Sequence, residues 1–313
     1  MESLSNTPVL EFPPNTLKIV RKVFGLDKPG EMAEAVSILD QWVKKQEHFL
    51  KKDFSKEYLE RTIILGKGSI ETAKKRLDKL CTMKTLVPKF FSYSNIREEL
   101  PDLLNCSWGT LLPKLTSDFH RVLLIRMRNT DFTLSQSGQM FYLCIILLEY
   151  IKAHDYCAGF ILVFDCRHIN VMDLISKVDM IELQRFLPIL VGGYGTVIKG
   201  LVWITESKMI HGFISVLKTM LSSKMGSRIY VFSDLESLHN YLPKDILPLD
   251  FGGTEKTTEQ LYDNIINVLT SKEHVEYVKE MQKAKTDEKM RIGNGFNEEY
   301  LGMPGTFRNL HVD

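Results

Sequence analysis

With 313 residues, 44% of them hydrophobic, the chain can bury a sizeable core as one large domain or two smaller ones. A net charge of +1 gives no global field that would steer it to nucleic acid. Its cysteines, Cys81, Cys106, Cys144, Cys157 and Cys166, are odd in number, lack CxxC spacing and have mostly apolar neighbours, so buried free thiols in a reducing compartment are expected.

The opening stretch MESLSNTPVLEFPPN has no basic segment and no long apolar run, so no secretory signal is read there. Glu2 excludes N-myristoylation, and the ending NLHVD offers no prenylation cysteine. Pro8, Pro13 and Pro14 keep the first fifteen residues irregular. From Glu31 to about Pro88 the pattern is helical and strongly charged. AEAVSILDQWVKKQ and SIETAKKRLDKLCTMKTL carry apolar residues at helical spacing, and Ser69 stands where a helix N-cap belongs. Lys67, Lys74, Lys75, Arg76, Lys79, Lys84 and Lys89 outnumber Glu71 and Asp78. That excess reads either as a solvated helix face or as a contact with an anionic surface. Residues 90–118, broken by Pro101, Gly109 and Pro113, read as a connector.

RVLLIRM from Arg121 reads as a first strand, and FILVF, LVWI and IYVF as three more, with helix-length segments between them. That alternation predicts βαβ units and a parallel sheet. Between the first two lies MFYLCIILLEYI, Met140 to Ile151, apolar nearly all round. At about a dozen residues it falls short of the ~20 that a membrane span needs, so it is expected to be a buried helix. A helix apolar on every side needs apolar partners on every side. The sheet supplies one side, and other helices or a lipid supply the other. Met209 to Leu221 reads as an amphipathic helix. His211, Ser215, Lys218 and Ser222 form a narrow polar stripe against Ile210, Phe213, Ile214, Leu217 and Leu221. Such a helix is either static core or a lid that opens against a membrane. Thr257 to Arg291 reads as one charged helix with Tyr262, Ile265, Ile266 and Leu269 on its apolar face, and the tail after Gly293 as a loop that wraps or frays.

Reactive chemistry is sparse. GxSxG, Walker A and GxGxxG are all absent, and the eight histidines form no HExxH. GKGS at Gly66 lacks the required earlier glycine, and GGYG at Gly192 precedes a strand rather than a helix. Asp165, Arg167 and His168, after the FILVF strand, are the best acid/base cluster on offer. A carboxylate and an imidazole so placed more often stabilise a turn than catalyse.

At these residues the chain resembles a known family. FILVFD, VIKGLVWITES and LPKDILPLDFGG are similar to the CRAL-TRIO lipid-binding family, and LPLDFGG looks like its LP-x-x-[YF]-GG closure. TIILGKGSIETAKKRLDKLCTMKTLVPKFF resembles the family's N-terminal helical module. Lys67 keeps one basic site of its FLR-x-x-K-[FY] pattern, while Thr62 and Ile64 depart from it. ITES stands where the family usually has IN-x-P, and GGYGTVIKG where it has D-x-FP. Gly192, Gly193 and Gly195 then suggest a looser or reshaped pocket wall. The likeness is greatest to the animal, insect-like branch of tocopherol- and retinaldehyde-binding members.

The resemblance implies an α/β fold, with an N-terminal helical module packed on a CRAL-TRIO βαβ lipid-binding cage that has a mobile gate helix. Its divisions would be 1–95, 96–253 and 254–313. Phe141, Cys144, Leu148, Phe160, Leu162, Leu190, Tyr194, Phe213 and Leu217 would line the ligand pocket. Lys199, Lys224 and Arg228 fall where tocopherol-type members hold a phosphoinositide headgroup, and a further cationic site of that cluster aligns with Val197. Yeast phosphatidylinositol-binding members place a glutamate at the Val197 position. An inositol phospholipid as cargo is therefore disfavoured, and a retinoid, tocopherol, carotenoid or sterol favoured. The expected function is a soluble cytoplasmic carrier that binds one such lipid and exchanges it at membrane faces. It would be monomeric, in transient contact with anionic membrane, without nucleic acid, metal, cofactor or catalytic residues. The alternative is a phosphoinositide-sensing membrane-trafficking adaptor.

Overall fold

In the computed structural model, which describes residues 4–101 and 103–292, four helices come first: α1 (Thr16–Val23), α2 (Glu31–Lys45), α3 (Lys56–Leu65) and α4 (Ile70–Leu86). The apolar positions of their periodic sequences meet in one core that includes Val20, Leu39, Val43, Leu59, Ile63 and Leu77. Ser69 caps α4 by accepting a hydrogen bond from the Thr72 amide, as its position before the periodic run predicts. In the α3–α4 turn Gly68 has φ of 78°, and a Cβ there would stand 2.4 Å from the Phe24 carbonyl oxygen, so only glycine fits.

After a short helix α5 (Ile96–Glu99) come five strands: β1 (Ser107–Leu111), β2 (His120–Met127), β3 (Gly159–Asp165), β4 (Ile198–Ile204) and β5 (Ile229–Phe232). They lie side by side in chain order. β2 to β5 are parallel, and their sequences are the four runs read as strands. β1 corrects the expectation of a connector over 90–118, since SWGTL pairs antiparallel with β2 from Ser107↔Met127 to Leu111↔Leu123. Five residues interrupted by Gly109 have little strand propensity of their own, and pairing with β2 is what holds them extended.

α6 (Leu134–Ser137) and α7 (Gln139–His154) join β2 to β3. α8 (Val171–Ser176), α9 (Met180–Leu187) and a π-helical turn, Pro188–Gly193, join β3 to β4. α10 (Ile210–Met220) and α11 (Ser223–Gly226) join β4 to β5. Parallel crossovers keep one hand, so strands in sequential order send every crossover to the same face. The two sheet faces differ accordingly. Val122, Leu124, Ile161, Val163, Val202 and Ile204 face α12 (Leu235–Tyr241) and the closure segment with Leu242, Ile246, Leu247 and Phe251. The alternate residues face the crossover helices. At the closure, a Cβ on Gly253 would lie 2.0 Å from the Leu247 carbonyl oxygen, which fixes glycine there.

The segment from Thr257 is two helices rather than one, α13 (Thr258–Leu269) and α14 (Lys272–Met281), because Ser271 ends the first run and caps the second through the His274 amide. Tyr262, Ile265, Ile266 and Leu269 are buried as expected, with α13 packed on β1. The tail after Gly293 lies outside the described residues. α7 is a buried helix of 16 residues, and among the described residues no helix is long and apolar enough to cross a membrane.

Candidate functional site

Between the sheet and its crossover helices lies a cavity of about 250 Å3. The strands contribute alternate residues to it: Leu123, Ile125 and Met127 from β2, Leu162 and Phe164 from β3, Leu201 and Trp203 from β4. α7 adds Met140, Phe141, Cys144, Leu147, Leu148 and Ile151, a stripe at i, i+3/i+4 spacing that explains half of its all-round apolarity. Leu183, Phe186 and Leu187 of α9, Leu190 of the π turn, Phe213 and Leu217 of α10, and Ile266 and Leu269 of α13 complete the wall. No charged side chain lines it, and Ser107, Ser137, the Trp203 indole and two thiols are its polar groups. Burial pushes the Cys144 and Cys166 thiols up to about 12, so they stay neutral. None of the five cysteines is disulfide-bonded.

Of the residues singled out in the sequence, Phe141, Cys144, Leu148, Leu162, Leu190, Phe213 and Leu217 come together around this cavity. Phe160 and Tyr194 do not line it. Phe160, second residue of β3, stands beside a register irregularity and is buried in the main apolar core. Tyr194 turns its hydroxyl to Glu149 Oε1 at 2.7 Å. Phe164, Leu201, Trp203 and the α13 pair were missed, although period-two alternation from Leu162 and the apolar face of α13 carried the signal. The glycines at 192, 193 and 195 do not loosen the wall. They let the π turn approach α4, where Cβ atoms would stand 2.7 Å from Lys79, 3.3 Å from Leu80 and 2.6 Å from Arg76.

Away from the cavity, α7 buries two charged side chains, Glu149 and Lys152, beside the apolar Ile145 and Ile146. Lys84 of α4 pairs with Glu149 at 2.6 Å, with side-chain exposures of 1% and 3%. It also donates to the Met281 carbonyl at 2.8 Å. Lys152 donates to Thr62 Oγ1 at 2.9 Å, and Arg61 donates to the Lys152 carbonyl at 2.6 Å. Burial lowers Lys152 to about 7, with the charge of Glu149 opposing that shift. These contacts join α3, α4 and α14 to the helix that forms the cavity wall.

Lys199, Lys224 and Arg228 lie in one electrostatic neighbourhood with Lys67 and Arg76. Lys67 is held below its ordinary pKa first by partial burial and then by the like charges of Lys224, Arg76, Arg228 and Lys199. Arg228 donates to the Ile198 carbonyl, and Arg76 to the Gly195 carbonyl at 3.1 Å. None of the five makes an ion pair among the described residues. At the end of β3, Asp165 is clamped by Arg167 at 2.8 and 2.9 Å, while His168 is exposed, the geometry of a stabilised turn.

Residues 107–253 match the profile of the CRAL/TRIO domain. A mouse (Mus musculus) protein named alpha-tocopherol transfer protein-like is 26% identical over 260 residues, covering 81% of this chain and 74% of that protein. Its human (Homo sapiens) namesake is 24% identical over 234 residues, covering 73% and 67%. Among solved structures, the crystal structure of Sfh5 superposes with a TM-score of 0.47 at 14% identity, covering 86% of this chain and 98% of that one. Residues 107–253 thus match the CRAL/TRIO domain, and the chain as a whole is similar to alpha-tocopherol transfer protein-like proteins.

Proposed function

We infer that this protein carries one hydrophobic lipid, of retinoid, tocopherol, carotenoid or sterol type, and exchanges it at cytoplasmic membrane surfaces. The observation that carries this reading is a cavity wall without a charged side chain. Apolar lining contributes roughly 25 cal/mol per Å2 of ligand surface removed from water. It offers nothing to a polar metabolite, whose unmet hydrogen bonds would oppose binding. At about 250 Å3 the space lies just under the ~300–1,000 Å3 typical of small-molecule sites, so a whole isoprenoid or sterol requires the wall to give.

α10 is the element best placed to do so. It carries Phe213 and Leu217 inward, while Val216 and the preceding Met209 are about half exposed on the outside. Met172 is similarly exposed on α8, which packs against α10. An apolar exterior over an apolar cavity suits a gate that opens against lipid, where outward residues insert as inward ones separate. The carrier acts as a monomer and performs no reaction, so metal, cofactor and catalytic residues have no part in the proposal. The clamped Asp165 supports that view.

The converging cations Lys67, Arg76, Lys199, Lys224 and Arg228 support transient docking to anionic membrane. They equally favour a second reading, a phosphoinositide-sensing trafficking adaptor. Transfer of retinol and of tocopherol between phosphatidylcholine vesicles, with and without phosphatidylinositol bisphosphate, separates the two. A carrier speeds transfer in proportion to protein concentration. An adaptor binds the phosphoinositide vesicles and moves neither lipid.

A further inference from the structure

Among the described residues, Trp203 is the one place on the cavity wall where a buried polar atom lacks a partner. Its side chain is 7% exposed, stacked on Phe164 at 4.5 Å between ring centroids and met edge-on by Phe213 at 5.7 Å. No hydrogen bond reaches its Nε1 among the described residues. Glu149 Oε2, both ring nitrogens of His274 and Tyr277 Oη are also buried without partners, but these residues of α7 and α14 do not line the cavity. Buried donors are nearly always satisfied; Nε1 is closed even to water, so an orphan in a side chain that lines a binding cavity points to a partner that the occupant brings as the Phe213 ring gives way.

The chemistry of that partner follows from the indole and its surroundings. An indole N–H only donates, so the partner must be an acceptor. The wall is a poor source. Ser137 donates to the Leu134 carbonyl at 2.7 Å and already accepts from the Asp179 amide at 3.1 Å, and the Cys144 and Cys166 thiols remain protonated and accept weakly. A lone water needs two to four polar partners, which a wall with two serines does not offer. With no cation in the wall, a carboxylate or phosphate group would be buried unpaired, at high cost. The acceptor is therefore a neutral oxygen.

We propose that Trp203 Nε1–H donates a hydrogen bond to a hydroxyl, carbonyl or ether oxygen on the hydrophobic ligand, placing the ligand's polar end against β4 where Phe213 of α10 covers it. This rests on the lipid-carrier reading and narrows it. Alcohols, aldehydes and ketones of suitable size are selected over hydrocarbons, and fatty acids and phospholipids are rejected.

The test uses the full-length protein labelled with 15N at its three tryptophans, Trp42, Trp108 and Trp203. Indole signals are assigned with W42F and W108F, so the experiment does not depend on a Trp203 variant folding. Dodecan-1-ol and dodecane are titrated in parallel. The expected result is that both bind and that only the alcohol moves the Trp203 indole proton downfield. W203F, which keeps an aromatic ring at the site without the donor, then weakens dodecan-1-ol about tenfold and leaves dodecane within about twofold. If both probes bind but the Trp203 signal responds alike to each, the donor assignment is overturned while the carrier reading stands. If neither binds, the carrier reading fails and takes this assignment with it.

Discussion

The Lys84 ammonium and the Glu149 carboxylate meet at 2.6 Å in a part of the molecule closed to solvent, joining the helical module to the helix that forms the cavity wall. Tyr194, at the end of the π turn, donates to the same Glu149 oxygen at 2.7 Å. One carboxylate thereby fixes α4, α7 and the segment that carries Leu190 to the cavity. Breaking such a pair strands a buried charge, so Lys84→Met should destabilise the fold by about 3–5 kcal/mol in urea titration. Lys84→Met combined with Glu149→Leu should recover most of that loss. A single variant costing under about 1 kcal/mol would show that the pair does not hold the module in place.

Placing carboxylates on the inward face of α10 should end lipid transfer. Phe213→Asp with Leu217→Asp puts two unpaired charges against the cavity, where their burial is costly. Vesicle-to-vesicle retinol transfer should fall to background while far-ultraviolet circular dichroism stays unchanged. Val216→Asp, on the exposed side, should leave retinol binding intact and slow only the vesicle step. Unaltered transfer by the double variant would mean that α10 is static core.

The cation cluster should act on membranes and not on cargo. Each cation near an anionic surface contributes about 1 kcal/mol, screened by salt. Replacing Lys199, Lys224 and Arg228 with alanine should weaken cosedimentation with phosphoinositide vesicles by roughly two orders of magnitude at low salt. Adding Lys67→Ala should deepen the defect, because Lys67 lies within the field of the other three. Retinol binding in detergent should be unaffected. If the triple variant matches the parent at every salt concentration, the cluster serves some other purpose.

Acid should loosen the α7–α14 contact. His274, on α14, is 4% exposed between Tyr150 and Tyr277. Burial, then the nearby His154, lowers it from 6.5 to about 4, with Glu149 opposing. The folded state therefore binds fewer protons than the unfolded state between those values. The stability contribution is complete above pH 6.5 and is lost as pH falls toward 4, on the order of 3 kcal/mol. Thermal melts from pH 7 to pH 4 should show this fall, and His274→Leu should flatten much of it. His154 shifts in the same direction and accounts for a residual slope.

The parallel strands were legible because FILVF, LVWI and IYVF are short, β-branched or aromatic, and separated by helix-length sequence. β1 was not, because an edge strand of five residues with a central glycine owes its conformation to its neighbour. The break at Ser271 was hidden for a related reason. Charged residues continue across it, and the serine that caps α14 reads as one more polar position. The cavity was legible where periodicity alone decides facing, as on α7 and α10. Phe160 shares the face of Leu162 but stands near the start of its strand at a register irregularity that no local pattern reveals. Tyr194 is drawn away by Glu149, a partner 45 residues earlier that no local pattern connects to it. Trp203 was accessible in principle, since it follows Leu201 by two residues, but its unpartnered nitrogen is visible only in three dimensions.

Native mass spectrometry after incubation with a mixed neutral-lipid extract tests the central claim most directly. The parent should carry one lipid per chain, released on unfolding. A variant with Cys144→Trp and Leu162→Trp, which fills the cavity from facing walls, should keep its helical content and carry none. A parent that takes up no lipid, or a filled variant that takes up as much as the parent, would contradict the assignment of this cavity as the cargo site.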